Sequence, residues 1–96
     1  MHFEWDERKN KDNIKKHGIS FQNAQEVFDD PFHLSLLDRR FDYFEERWIT
    51  IGVTEGQQLV VVGHLYYFSE SGEEVIRIVT ARKGTKIERE HYENIG

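Results

Sequence analysis

The chain has one proline, Pro31, and its hydrophobic period changes there. Upstream, Phe21, Ala24, Val27 and Phe28 recur at helical spacing, and Asp30-Pro31 ends that run because a residue before proline disfavours the helical region. Downstream, segments 33–38, 47–54, 58–68 and 75–82 are rich in Val, Ile, Leu, Trp and Tyr, with turn signals at Glu55-Gly56 and over 69–72. Four strands joined by short loops predict an antiparallel meander. In the third, Leu59 to Val62 are apolar on both parities, which predicts a central strand covered on both faces.

Before the meander, Asp6 is placed to cap a helix over 7–17 that Gly18 ends by taking the left-handed conformation. Ile14 is its only strongly apolar residue, so Phe3, Trp5 and Ile19 are expected to anchor it while its other face stays wet and cationic. Ser20 is the cap of a second helix over 21–28, and 86–94 reads as a third, with Ile87 and Tyr92 as anchors. A further short strand fits over 3–5. The order α-α-β-β-β-β-α is an α+β layout: two N-terminal helices, an antiparallel sheet of four strands or slightly more, and a short C-terminal helix. At 96 residues, one domain over 1–96 is expected.

The absence of cysteine excludes a disulfide framework, a thiolate metal site and a cysteine nucleophile. No window has the roughly 18 to 20 apolar residues of a bilayer span, and the amino terminus has no signal-like apolar core. A cytoplasmic protein with no membrane contact is expected. The formal net charge of -5 argues against a general nucleic-acid surface, yet it hides a pattern. Residues 7–17 carry five cations against two acids, 77–89 five against one, and 18–76 eleven acids against three arginines. If the two basic stretches meet, the molecule has a basic and an acidic face.

Histidines at 2, 17, 33, 64 and 91 show no ligand spacing, and no Gly-rich phosphate loop or serine elbow occurs, so neither a metal nor a cofactor is expected. What remains is a set of cations on strands. Arg77 interrupts Val75-Ile76-Ile78-Val79, Arg82 ends that strand and Arg47 opens another. An arginine in an apolar strand either pairs with a carboxylate, such as Glu46, or opens onto a groove where its fork binds phosphate. Residues 77 and 82 fall on opposite faces of a regular strand and share a site only through a bulge or turn. His17, at a helix C-terminus, is either a cap or a proton carrier. Trp48 and Tyr66-Tyr67 are either core or stacking surfaces for bases. Asp38, Asp42, Glu45 and Glu46 interleave with Arg39, Arg40 and Arg47 as a solvated loop that could also attract a basic partner.

Phe3-Glu4-Trp5-Asp6, Lys9, Asn13, Lys16-His17-Gly18-Ile19, Phe21, Ala24, Val27-Phe28 and Asp30 resemble the opening signature of the BrnT family of toxins. Glu46-Arg47-Trp48, Ile76-Arg77-Ile78-Val79-Thr80-Ala81-Arg82, Glu88-Arg89 and Tyr92 resemble its later motifs, with Thr80 where serine is more usual. The resemblance, over residues 3–92, implies a RelE-like fold and a type II toxin-antitoxin ribonuclease that halts translation. It implies a BrnA-type ribbon-helix-helix antitoxin, two toxins with two antitoxins, and operator DNA bound only through the antitoxin. On that reading the 2'-hydroxyl of RNA attacks phosphorus without a metal. Arg47, Arg77 and Arg82 neutralise the developing charge, Glu46 or His17 exchanges the proton, Lys16 binds phosphate, and Trp48 holds a base or braces Arg47. The competing reading is a non-catalytic module that partners a DNA-binding regulator.

Overall fold

The structure is a computed structural model that describes residues 1–39 and 46–95. Its elements are β1 (His2–Glu4), α1 (Glu7–His17), α2 (Phe21–Ala24) continuing as a 3-10 turn (Gln25–Asp29), β2 (Leu34–Leu37), β3 (Trp48–Val53), β4 (Leu59–Phe68), β5 (Glu74–Lys83) and α3 (Lys86–Ile95). They form one five-stranded sheet in the order β1-β5-β4-β3-β2. The meander is antiparallel, and β1, the short strand expected near 3–5, joins β5 in parallel.

The caps read from sequence are in place. Asp6 accepts from the Arg8 and Lys9 amides at 2.8 and 3.4 Å, Ser20 accepts from Asn23 at 3.0 Å, and Gly18 closes α1 at φ 72°. The helix expected over 21–28 is α-helical only to Ala24 and then tightens, which brings Asp30 to the start of the next turn. α3 opens with a reciprocal cap that the sequence carries as Thr85-Lys86-Ile87-Glu88. The Thr85 hydroxyl accepts from the Glu88 amide at 3.2 Å, and the Glu88 carboxylate accepts from the Thr85 amide at 2.8 Å.

Side chains alternate across the sheet, and helices cover both faces of β4, as its double-parity apolar run requires. On one face Val60 and Val62 pack with Ile76, Ile78 and Ala81 beneath Ile19, Phe21, Ala24 and Val27. On the other, Leu59, Val61 and Ile51 lie beneath Tyr92 of α3. Each fully buried Val, Ile, Leu or Phe contributes about 1.5–3 kcal/mol.

α1 is held differently from the expectation. Phe3 and Trp5 do flank the core, but the helix itself is fastened by two buried asparagines three residues apart. Asn10 accepts from the Phe21 amide at 2.8 Å. Asn13 donates to the Ile19 and Ala81 carbonyls at 2.9 and 2.8 Å and accepts from the Ala81 amide at 3.1 Å. Beyond the last β1 pairing at Arg77, the Asn13 amide therefore continues the hydrogen bonding of the β5 edge. This brings α1 against β5, so the basic stretches 7–17 and 77–89 do meet.

Candidate functional site

The β4–β5 register contains the irregularity needed for Arg77 and Arg82 to share a face. Gly63 pairs with Thr80 and His64 with Ile78, leaving Val79 as an extra residue in β5. Arg77 is thereby opposite Leu65 and Arg82 opposite Val61, an even separation along β4 that puts both on one side of the sheet. Four residues of strand separate them, about 13 Å.

That side is the one α3 covers only at one end. Beyond α3 lies a cavity of about 140 Å³ lined by Asp38, Arg47, Ile49, Val61, Gly63, Thr80 and Arg82. At about 30 Å³ per water it holds four or five waters, the scale of a phosphodiester group rather than a nucleotide. A Cβ on Gly63 would come within 2.4 Å of the Thr80 Oγ1, so only glycine lets that hydroxyl lie over β4 beside the arginines.

The cations differ in their surroundings. Arg82 donates from both terminal nitrogens to Glu88, each at 2.8 Å, and this bidentate hydrogen bonding pulls the Glu88 carboxyl down to about 2. Arg77 donates to Glu4 at 2.9 Å, and the Tyr67 hydroxyl donates to the same oxygen at 2.6 Å; both lower the Glu4 pKa, the tyrosine most. Arg47 is opposite Asp38 at the end of the β2–β3 ladder, where the Asp38 amide donates to the Arg47 carbonyl at 2.7 Å.

The remaining sequence-derived candidates fall elsewhere. Glu46 is exposed one residue before Arg47, and Lys16 is exposed near the end of α1. His17 is half-buried at the last position of α1, four residues beyond the asparagine that grips Ala81, and makes no hydrogen bond or ion pair among the described residues. Trp48 pairs with His64 and so takes the opposite sheet face, in an apolar cavity of about 220 Å³ with Met1, Phe28, Ser35, His64, Tyr66 and Ile76. Below it His64 is 3% exposed, and burial pushes its pKa down to about 4. Its Nδ1–H donates to the Leu65 carbonyl at 3.2 Å, and its Nε2 accepts from the Thr50 hydroxyl at 2.7 Å, which in turn lies 2.7 Å from the Ser35 hydroxyl.

Two cavity residues were missed as site candidates. Asp38, read as part of a solvated loop, is 9% exposed; Arg40, Asp42 and Glu45 of that loop lie outside the described residues. Thr80 carries no signal beyond its place between two strand arginines and the hydroxyl it shares with the serine more usual at that place of the motif. Among the described residues no three His, Asp or Glu side chains converge as a metal site.

Residues 5–88 match the family model of BrnT, the ribonuclease toxin of type II toxin-antitoxin systems. The chain belongs to the BrnT family. It therefore takes its place among ribonuclease toxins, with RNA as the substrate class and an antitoxin as the partner. The crystal structure of the BrnT ribonuclease toxin from Brucella abortus superposes with a TM-score of 0.61 at 23% identity, covering 90% of this chain and 99% of that one. The chain shares the fold of that toxin, and its own sheet presents Arg47, Thr80 and Arg82 on the face that α3 covers at one end. No curated protein matches the chain. No described helix is long and apolar enough to cross a membrane.

Proposed function

We propose that the chain cleaves RNA without a metal, by attack of the substrate's own 2'-hydroxyl on the adjacent phosphorus. The observation that carries this is the small cavity holding Arg47, Arg82 and the Thr80 hydroxyl together. Two guanidiniums and a neutral donor converging on a space the size of one phosphate suit an anion whose charge grows in the transition state. Arg47 and Thr80 bind the non-bridging oxygens, Arg82 adds charge from beside Glu88, and Arg77 extends the cationic row toward a neighbouring phosphate. Lys16 and His17 belong to the basic surface where α1 meets β5, Glu46 stands exposed one residue before Arg47, and Trp48 braces the strand from the far side.

The partner in this reading is a BrnA-type ribbon-helix-helix antitoxin that binds operator DNA, two copies of each chain assembling in the cytoplasm. The acid excess of residues 18–76 suits a basic antitoxin. The test is cleavage of end-labelled naked RNA in excess EDTA. Ends bearing 2',3'-cyclic phosphate are expected from wild type, with a rate at least tenfold lower for Arg47→Lys, whose ammonium lacks the fork. Full activity of Arg47→Lys would refute the bidentate role.

One observation favours a second reading, a binding module without catalysis: Arg77 and Arg82 are both ion-paired within the fold, to Glu4 and Glu88. It predicts antitoxin binding with no RNA cleavage, on naked RNA or in a translating extract.

A further inference from the structure

The cavity contains one lining group that a phosphate cradle alone does not explain. Arg47, Arg82 and Thr80 offer donors to an anion, whereas an ionised aspartate offers only acceptors and repels phosphate oxygens. Yet Asp38 lines the same space and is 9% exposed. Its position is set by the fold: Leu37 pairs with Trp48, so Asp38 and Arg47 form the next cross-strand pair, held by the backbone hydrogen bond of 2.7 Å. Side chains directly opposite in such a pair have Cβ atoms about 5 Å apart. Among the described residues, the charged groups facing Asp38 across the cavity are Arg47 from β3 and Arg82 from β5, the latter backed by Glu88 of α3.

We infer that Asp38 is the general base that takes the proton of the attacking 2'-hydroxyl. The inference rests on the ribonuclease reading above and assigns a step that reading leaves open. Of the described side chains lining the cavity, the carboxylate is the one able to accept a proton and keep it. With the phosphate drawn to Arg47, Arg82 and Thr80, the ribose hydroxyl next to that phosphorus falls to the Asp38 side. The 2'-O–H bond breaks toward Asp38 as the 2'-O–P bond forms and the P–O5' bond breaks. The departing 5'-oxygen takes a proton from water, and Asp38 returns its own to solvent, leaving a 2',3'-cyclic phosphate and a 5'-hydroxyl. Once Asp38 is protonated its repulsion of the phosphate disappears, so the transition state is favoured over the bound substrate.

Asp38→Asn keeps the shape and removes the base. Purified wild type and variant are compared in EDTA on one RNA oligonucleotide for turnover, and on its fully 2'-O-methylated, uncleavable copy for affinity. Turnover is expected to fall 10²- to 10⁴-fold while affinity for the methylated copy is unchanged or tighter. An acid limb of kcat/KM against pH is expected in wild type and should vanish in the variant. A variant within fivefold of wild-type turnover, or one that binds the methylated copy tenfold more weakly yet keeps the acid limb, would overturn the assignment and make Asp38 a positioning residue for Arg47. Should Asp38→Asn fail to fold, the wild-type profile on a substrate with a 5'-thio leaving group, which needs no acid, decides. A limb in the carboxylate range supports the base; one in the imidazole range that His17→Ala abolishes overturns it. Wild type that cleaves no RNA refutes the ribonuclease reading itself, whereas cleavage that survives Asp38→Asn refutes only the base.

Discussion

Asn13→Ala measures how far buried amides, rather than apolar contacts, dock the first helix. The side chain makes three hydrogen bonds, to the Ile19 carbonyl at 2.9 Å and to the carbonyl and amide of Ala81 at 2.8 and 3.1 Å. Each contributes about 1 kcal/mol net, and the Ala81 N–H, left unpaired beside a fully buried residue, costs about a further 1–3 kcal/mol. Alanine's better helix propensity returns about 0.5 kcal/mol. The balance is a loss of about 3.5–5.5 kcal/mol, a large share of the roughly 5–15 kcal/mol that holds a small domain together. With a urea dependence of about 1–3 kcal/mol per molar, the unfolding midpoint should drop by about 2 M, and the Ala81 amide should lose its protection from hydrogen exchange. Asn13→Asp retains the acceptor but turns a carboxylate toward two carbonyls, so it should cost at least as much at neutral pH. A loss below about 1 kcal/mol for Asn13→Ala would refute the reasoning, because it would mean that Phe3, Trp5 and Ile19 suffice to hold α1 or that water replaces the amide.

His64 links stability to pH in a window of its own. It is buried with its pKa pushed down to about 4 from an unfolded value of 6.5, so the unfolded chain binds the extra proton first and stability falls from pH 6.5 toward 4. The loss is about 3 kcal/mol by linkage, seen as a falling thermal midpoint that His64→Gln flattens in that range. Gly63→Ala should displace the Thr80 hydroxyl, since its Cβ would come within 2.4 Å, and so lower RNA cleavage while moving the unfolding free energy by no more than about 1 kcal/mol. The double variant with Thr80→Val should cleave no more slowly than Thr80→Val alone; an additive loss would show that Gly63 acts by another route. Glu88→Gln removes the charge from a bidentate pair and leaves one oxygen to accept where two did, although that oxygen can still cap α3, and is expected to cost about 1–2 kcal/mol in urea titrations at pH 7. Below pH 2 that difference should be gone, because Glu88 itself is then protonated.

Local signals were legible because each is decided within a few residues. Asp6, Ser20 and Gly18 cap where capping chemistry places them, the change of period after Pro31 marks the start of the meander, and the double-parity run of β4 announces a strand covered twice. The resemblance likewise rested on short motifs that residues 5–88 carry together. Less legible was the docking of α1, since Asn10 and Asn13 look like ordinary polar residues until the backbone groups they satisfy come within reach. Thr85 and Glu88 did carry a readable cap signature.

The sequence by itself determined the α+β order, the caps of the first two helices, the central strand and the three arginines, because propensity, capping and side-chain period act over single turns and strands. Tertiary structure alone decided which of those arginines meet. The extra residue at Val79 reverses side-chain parity and puts Arg77 and Arg82 on one face, and the β2–β3 pairing sets Asp38 opposite Arg47. The sheet faces then separate Trp48 from Arg47 although they adjoin in the chain. A bulge and a cross-strand register depend on how distant segments align, and no local spacing in the sequence encodes that alignment.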